Sequence, residues 1–232
     1  MGLAVWHLGE ACMENPGELL ECLYRQYGTA YFIDAKVIGI LLVSMVLLGG
    51  GMSQADVVAN EPVDAAKVAK AEKIILGLQA RLPVYTAKGA GPFVAAIYDS
   101  QGNLVVETAN SVVDGQCSHN HAEMNAIRLA EEKLGTYDLG PHHLSLYVTA
   151  EPCVMCMGGI MWSGLEAVYY GVPSKRVEEI TGFDEGYKPD WQAAFRERGI
   201  TVYGNIAVEA GEKALQQYMD EGRVVYKPER DK

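Results

Sequence analysis

Two apolar, β-prone runs enclose a single helical stretch, and this pattern limits the folds open to the chain. The runs are "LSLYVTA" (residues 144–150) and "LEAVYYGV" (residues 165–172), with "EPCVMCMGGIMWSG" between them. A strand, a helix and a second strand make a crossover unit, which favours parallel pairing. Strands apolar on both faces belong in the middle of a sheet, covered on each side.

The remaining elements can be placed around that unit. In "DAAKVAKAEKIILGLQARL", Asp64 is a candidate N-cap, and Val68, Ile75, Leu78 and Leu82 approximate helical spacing, with Pro83 expected to stop the helix. "GPFVAAIYDSQGNLVVETAN" reads as a hairpin turning through Ser100, Gln101, Gly102 and Asn103. A helix should run from His121 to Leu134 and close at Gly135. The tail offers "PDWQAAFRERG", a strand at "ITVYGN" and a helix near "EAGEKALQQYMDEG". Together these predict an α/β protein, a three-layer α/β/α sandwich around a mixed five-stranded sheet.

Residues 1–60 do not share this patterning. "VIGILLVSMVLLGGGM" (37–52) is shorter than the ~20 residues of a membrane span but suits the core of a secretory signal, with the small residues of Ser53–Ala55 following. The segment before it carries more acid than base, against the usual signal pattern. Residues 1–60 are therefore read as a hydrophobic leader outside the fold, and residues 61–232 as the functional domain. On this reading the protein is exported or membrane-anchored if the leader is genuine and cytoplasmic if translation begins further down. Membrane contact is expected only through residues 37–52.

A net charge of -11, with no run of Lys or Arg, disfavours a nucleic-acid partner, because such binding draws on cations that displace counterions. The five cysteines are odd in number and sparse, so they do not form a disulfide framework.

Cys153 and Cys156 stand three apart at the start of the crossover helix, so one face carries both sulfurs. The partial positive charge of a helix N-terminus favours the thiolates that zinc binds. His121 opens the other helix, in "HNHAEMNAIRLA". One imidazole and two thiolates are three protein ligands, one zinc per subunit, leaving a fourth position for water or hydroxide. Glu123 then stands two residues from the histidine, placed to move protons without ligating the metal. Two other readings stay open. The C-x-x-C could be a redox pair, although Pro152 precedes both cysteines instead of lying between them. Cys117, four residues before His121, could close a structural zinc shell and make the domain a binding module.

His121-Ala122-Glu123 with Pro152-Cys153-Val154-Met155-Cys156 resembles the H-x-E and P-C-x-x-C signature of the cytidine and nucleobase zinc deaminases. "GPFVAAI", "ETANS" and "GFDEG" make the chain most similar to the bacterial guanine deaminases, ammeline-active members included, over roughly Ala66 to Tyr226. The resemblance implies a zinc-dependent deaminase domain acting on a nucleobase. It implies that His121, Cys153 and Cys156 hold zinc, and that Glu123 and Glu185 are catalytic. Asn110, Phe93, Ala122 and Trp162 would bind the base. It also implies a homodimer, with the C-terminal segment exchanged between subunits in some relatives. Adenosine in tRNA, cytosine, cytidine and ammeline are the alternative substrates.

Overall fold

A computed structural model describes residues 57–186 and 188–227. The run at residues 37–52, and most of the leader expected over residues 1–60, lie outside the described residues. No helix among the described residues is long and apolar enough to cross a membrane.

The described elements are, in chain order, β1 (Val58–Ala59), α1 (Ala65–Thr86), β2 (Val94–Tyr98), β3 (Leu104–Ala109), α2 (Ala122–Leu134), β4 (Ser145–Ala150), α3 (Val154–Ser163), β5 (Ala167–Val172), α4 (Ser174–Thr181), α5 (Trp191–Glu197), β6 (Thr201–Gly204) and α6 (Val208–Asp220). The strands form one sheet in the order β1-β6-β5-β4-β2-β3. β4, β5 and β6 run parallel, and the hairpin β2–β3 joins antiparallel through β2 to β4. The crossover unit is therefore present, with β4 and β5 paired from Ser145↔Ala167 to Ala150↔Val172.

Alternation along each strand divides the core into two layers. Ala95, Ile97, Leu146, Val148, Val168 and Tyr170 face α2, α3 and Phe195 of α5. Val94, Ala96, Tyr147, Tyr169 and Tyr203 face α1 and Ile206 on the other side. The result is a three-layer α/β/α sandwich, because a period-two strand buried on both faces needs a helical layer on each. On the α1 side, the parallel registers Tyr147↔Tyr169 and Tyr169↔Tyr203 stack three tyrosine rings, with centroids 4.7 and 5.4 Å apart.

Two features differ from the sequence expectation. The sheet has a sixth strand, β1, whose two residues pair antiparallel with Gly204 and Tyr203 of β6. The buried Asn60 side chain extends this tie, donating to Ile200 O and accepting from Val202 N. A two-residue strand held mainly by one asparagine carries no alternation to read. The other difference is in α1, which continues past Pro83 to Thr86. Leu82 and Thr86 are both buried, so packing carries the helix one turn beyond the lost N–H.

Gly171 of β5 shows how tightly the central strands approach. A Cβ there would lie 2.3 Å from Thr149 O, a backbone atom that cannot rotate away. Gly171→Ala is expected to lower stability by about 1–3 kcal/mol, as overpacking of a dense core does. Urea unfolding of the variant beside the parent chain checks this.

Candidate metal centre and its cavity

Two helix N-termini converge at one end of the sheet. α3 begins directly beyond β4, the strand before it in the crossover, and α2 packs beside it. His121 is the N-cap of α2 and Cys153 the N-cap of α3, both with extended backbone (φ -66°, ψ 156° and φ -68°, ψ 168°). Neither side chain caps its own helix, so both are free to point at a common third object. Cys156, in the first turn of α3, completes the group.

The ligand atoms of His121, Cys153 and Cys156 all lie within 4.8 Å of one another. The Cys153 and Cys156 sulfurs are 3.6 Å apart and free, and Cys153 Sγ lies 3.4 Å from His121 Nδ1. A tetrahedral zinc with ordinary bond lengths has S···S edges of about 3.8 Å and S···N edges of about 3.5 Å. The donor set and its spacing therefore fit zinc. Cys117 does not join the group: it sits on the cavity wall with its sulfur 3.3 Å from His119. The three residues form the only such cluster among the described residues, so four protein ligands are not brought together.

The charges around the cluster are strongly coupled. The Cys153 thiol is lowered to about 4, chiefly by the hydrogen bond from Cys156 and further by His121, against the cost of burial. Cys156 is raised well above the usual thiol range because it donates to Cys153 and is buried. Burial acts against a charged His121, but Cys153, Glu123 and Glu185 outweigh it and raise the imidazole. A dication on these atoms would hold both sulfurs as thiolates.

His121 and Cys153 line a cavity of about 1390 Å³ that opens to solvent, together with the carboxylates Glu123, Glu151, Asp184 and Glu185. Glu123 is buried in the first turn of α2, and burial, with the Cys153 charge, raises it to about 7. Glu185 faces the same space from the loop between α4 and α5 and is also buried. Burial raises it to about 8, while Lys188 pulls it the other way. Two carboxyls poised near neutrality in one cleft are suited to moving protons.

Asn110 follows the end of β3. Asn125 of α2 ties down the residues on either side of it, donating to Ala109 O, Ser111 Oγ and Asn120 O. Asn110 Oδ1 accepts from Val112 N, and Nδ2 donates to the Tyr226 hydroxyl. Phe93 supplies an apolar wall and packs edge-on against Phe183, with centroids 5.4 Å apart.

His121, Glu123, Cys153, Glu185, Asn110 and Phe93 thus line one cavity, with Cys156 buried beside His121 and Cys153. Ala122 and Trp162 do not. Ala122 is fully buried in the core under α2. Trp162 lies on the outer side of α3, 89% exposed, because Cys156, Met157 and Ile160 take the inward positions of that helix.

Residues that the sequence did not single out also line the cavity. Tyr226 approaches from beyond α6, its ring 6.0 Å from His121 and 4.7 Å from Phe183. Glu151 stands two residues before Cys153. Val112, Val113, Gln116 and Ser118, from the loop before α2, line the cavity as well. The composition of "RVVYKPER" gives no sign that its tyrosine returns to the site; only the tertiary path does.

Comparison with known proteins agrees with this geometry. Residues 62–172 match the cytidine and deoxycytidylate deaminase zinc-binding region. Guanine deaminase of Bacillus subtilis (strain 168) is 38% identical over 97 residues, 42% of this chain and 60% of that protein. A probable cytosine deaminase of Schizosaccharomyces pombe is 31% identical over 94 residues, 40% of this chain and 55% of that one. The chain thus spans somewhat over half the length of these curated relatives. A solved guanine deaminase from Nitrosomonas europaea superposes with TM-score 0.61 at 33% identity, covering 73% of this chain and 98% of that one. A further structure, in complex with 2,6-diaminopurine, gives TM-score 0.62 at 36% identity over 75% and 91%.

Removing one sulfur tests the cluster. Cys156→Ser is expected to reduce bound zinc severalfold or more, while Cys117→Ser leaves about one zinc per chain. Elemental analysis of the purified variants distinguishes this arrangement from a closed four-ligand shell.

Proposed function

Because the chain belongs to the family built on the cytidine and deoxycytidylate deaminase zinc-binding region, we propose that it hydrolytically deaminates guanine to xanthine and ammonia. The observation that carries this reading is the pair of buried carboxyls, Glu123 and Glu185, facing one cavity beside a three-ligand zinc-type cluster. The similarity to guanine deaminases supports a purine base as the substrate.

His121, Cys153 and Cys156 would hold the zinc, which when bound supplies the Lewis acidity that makes water nucleophilic near neutral pH. The rest of the reaction falls to the chain's own groups. Glu123 takes a proton from the attacking water and returns it to N3 of the ring, which makes C2 the better electrophile. Its carboxyl near 7 allows transfer in both directions at neutral pH. The water oxygen bonds to C2, the remaining hydroxyl proton passes to the amino nitrogen, and the C2–N bond breaks to release ammonia. Glu185, the second buried carboxyl of the cavity, meets the amino group and assists this second transfer.

Asn110 would hydrogen-bond the purine edge, exchanging or sharing its bond to Tyr226 as the base enters. Phe93 offers the ring an apolar face. The carboxylate-lined wall and the net charge of -11 oppose a polyphosphate backbone, favouring a free base over a tRNA loop. A homodimer belongs to the same reading, with the segment bearing Tyr226 lining its own cavity, as it does in the single chain, or that of its partner.

Glu123→Gln is expected to keep zinc and lose turnover by ~10²–10⁴-fold, as loss of a general acid–base group does. Ammonia release is measured across guanine, adenine, cytosine, cytidine and ammeline, with zinc content followed in parallel. Turnover of guanine by the parent chain is expected to exceed that of the others. Full activity in the glutamine variant would refute the assignment.

A further inference from the structure

Glu185 sits on a loop, and loops do not by themselves hold a side chain to within the tolerance that proton transfer requires. Its own backbone supplies two anchors: Glu185 O accepts from Val154 N, in the first turn of α3, and Glu185 N donates to Glu178 Oε1 of α4. A link from the loop to the Cys153 turn comes from three residues further on. The Lys188 side chain is only 11% exposed, although it leaves the same loop. Its ammonium donates to Pro152 O at 2.9 Å and to Ser174 Oγ, and lies 3.2 Å from Glu151 Oε1. Those three partners use all three donors of the ammonium group.

The acceptors are as well ordered as the donor. Glu151 is 12% exposed, and its other oxygen accepts from Ser174 N at 2.9 Å. Its backbone N–H donates to Val172 O of β5. Glu151 and Pro152 directly precede Cys153, so the lysine is bonded to the turn that presents the first sulfur. Glu151 faces the cavity, and Lys188 stands behind that wall.

Stability alone gives a poor account of this pair. Two ions taken out of water roughly break even, or lose, against well-packed apolar side chains of the same volume. What such a pair supplies is fixed relative position. Here it joins the Glu185 loop to the Cys153 turn, the two segments whose spacing sets how far the second carboxyl stands from the metal cluster.

We propose that Lys188 is a positioning residue, which holds Glu185 in place over the Cys153–Cys156 cluster through its bonds to Pro152, Ser174 and Glu151. The proposal rests on the reading that Glu185 acts on the substrate. Lys188 itself touches neither the cavity nor the cluster. Its charge also lies close enough to Glu185 to offset part of the effect of burial on that carboxyl.

The test is a double-mutant cycle with a structural arm. Lys188→Met removes the ammonium and keeps most of the volume. It is expected to retain zinc and to lower kcat for guanine by roughly 10- to 100-fold with little change in KM. The same substitution in a Glu185→Gln background is expected to lower kcat little further, because the carboxyl it positions is already gone. Lys188→Arg, which keeps the charge and the donors, is expected to recover most of the loss. Independent losses that multiply, or a change confined to KM, would overturn the proposal.

A crystal structure of Lys188→Met with zinc bound tests the positioning role without any assay of activity. Glu185 displaced from its place over the cluster supports that role, and Glu185 unmoved overturns it. If the parent chain releases no ammonia from guanine, the functional reading fails while this structural arm still decides the positioning role. If Lys188→Met yields no folded protein, Glu151→Gln removes the charge that the lysine faces. The same cycle with Glu185→Gln is then expected to be non-additive, and additivity would overturn the proposal.

Discussion

The convergence of two helix N-termini governs the rest of the site. His121 and Cys153 are each the last extended residue before a helix, so their side chains project ahead of the helices rather than along them. Both ends carry the partial positive charge of unpaired N–H groups, which favours thiolates and carboxylates nearby. Three donor atoms within 4.8 Å follow from that arrangement, and so does the place of Glu123 one step into α2. The sheet matters chiefly because it delivers these ends to one spot. The parallel pair β4–β5 fixes α3, and packing of α2 against α3, β2 and β3 fixes the other.

Around this point the protein tolerates an unusual density of acid. Glu123, Glu151, Asp184 and Glu185 all line one cavity, facing a cluster that contains two thiols. Such crowding stands only if some groups are protonated or paired. The structure uses both solutions. Glu123 and Glu185 are buried and raised towards neutrality, whereas Glu151 is paired with Lys188. The division separates carboxyls that can exchange protons from one that holds the wall together. A cluster charged by a bound dication would shift the balance further towards ionised carboxyls, so metal occupancy and acid–base readiness are linked.

Where the chemistry depends on short-range pattern, the sequence was readable. Spacing sets Cys156 three residues after Cys153 and Glu123 two after His121, so each pair falls at the start of one helix, a local fact of the chain. The hairpin, the crossover strands and the closure of α2 at Gly135 (φ 69°) are legible for the same reason. The sheet's sixth strand was not, since Val58–Ala59 owes its pairing to β6, far along the chain, and to one buried asparagine. The continuation of α1 through Pro83 was hidden too, because burial of Thr86 outweighs a local stop signal. Trp162 shows the opposite limit. A large aromatic beside a metal motif invites a pocket role, but its position on α3 turns it outward.

Tyr226, Glu151 and Lys188 mark what lies between those extremes. None belongs to a motif, and each becomes informative only through partners distant in sequence: Asn110, Ser174 and Pro152. They also share a physical task. The metal ligands are held by helix ends, which are stiff, but the second carboxyl and Tyr226 arrive on irregular segments. Such segments gain precision only through cross-links, and here those links are hydrogen bonds and one partly buried ion pair. A protein that places most of its reacting groups at helix ends and one on a loop must therefore carry supporting polar contacts just outside the cavity. The residues that make them are then as decisive for geometry as those that face the ring.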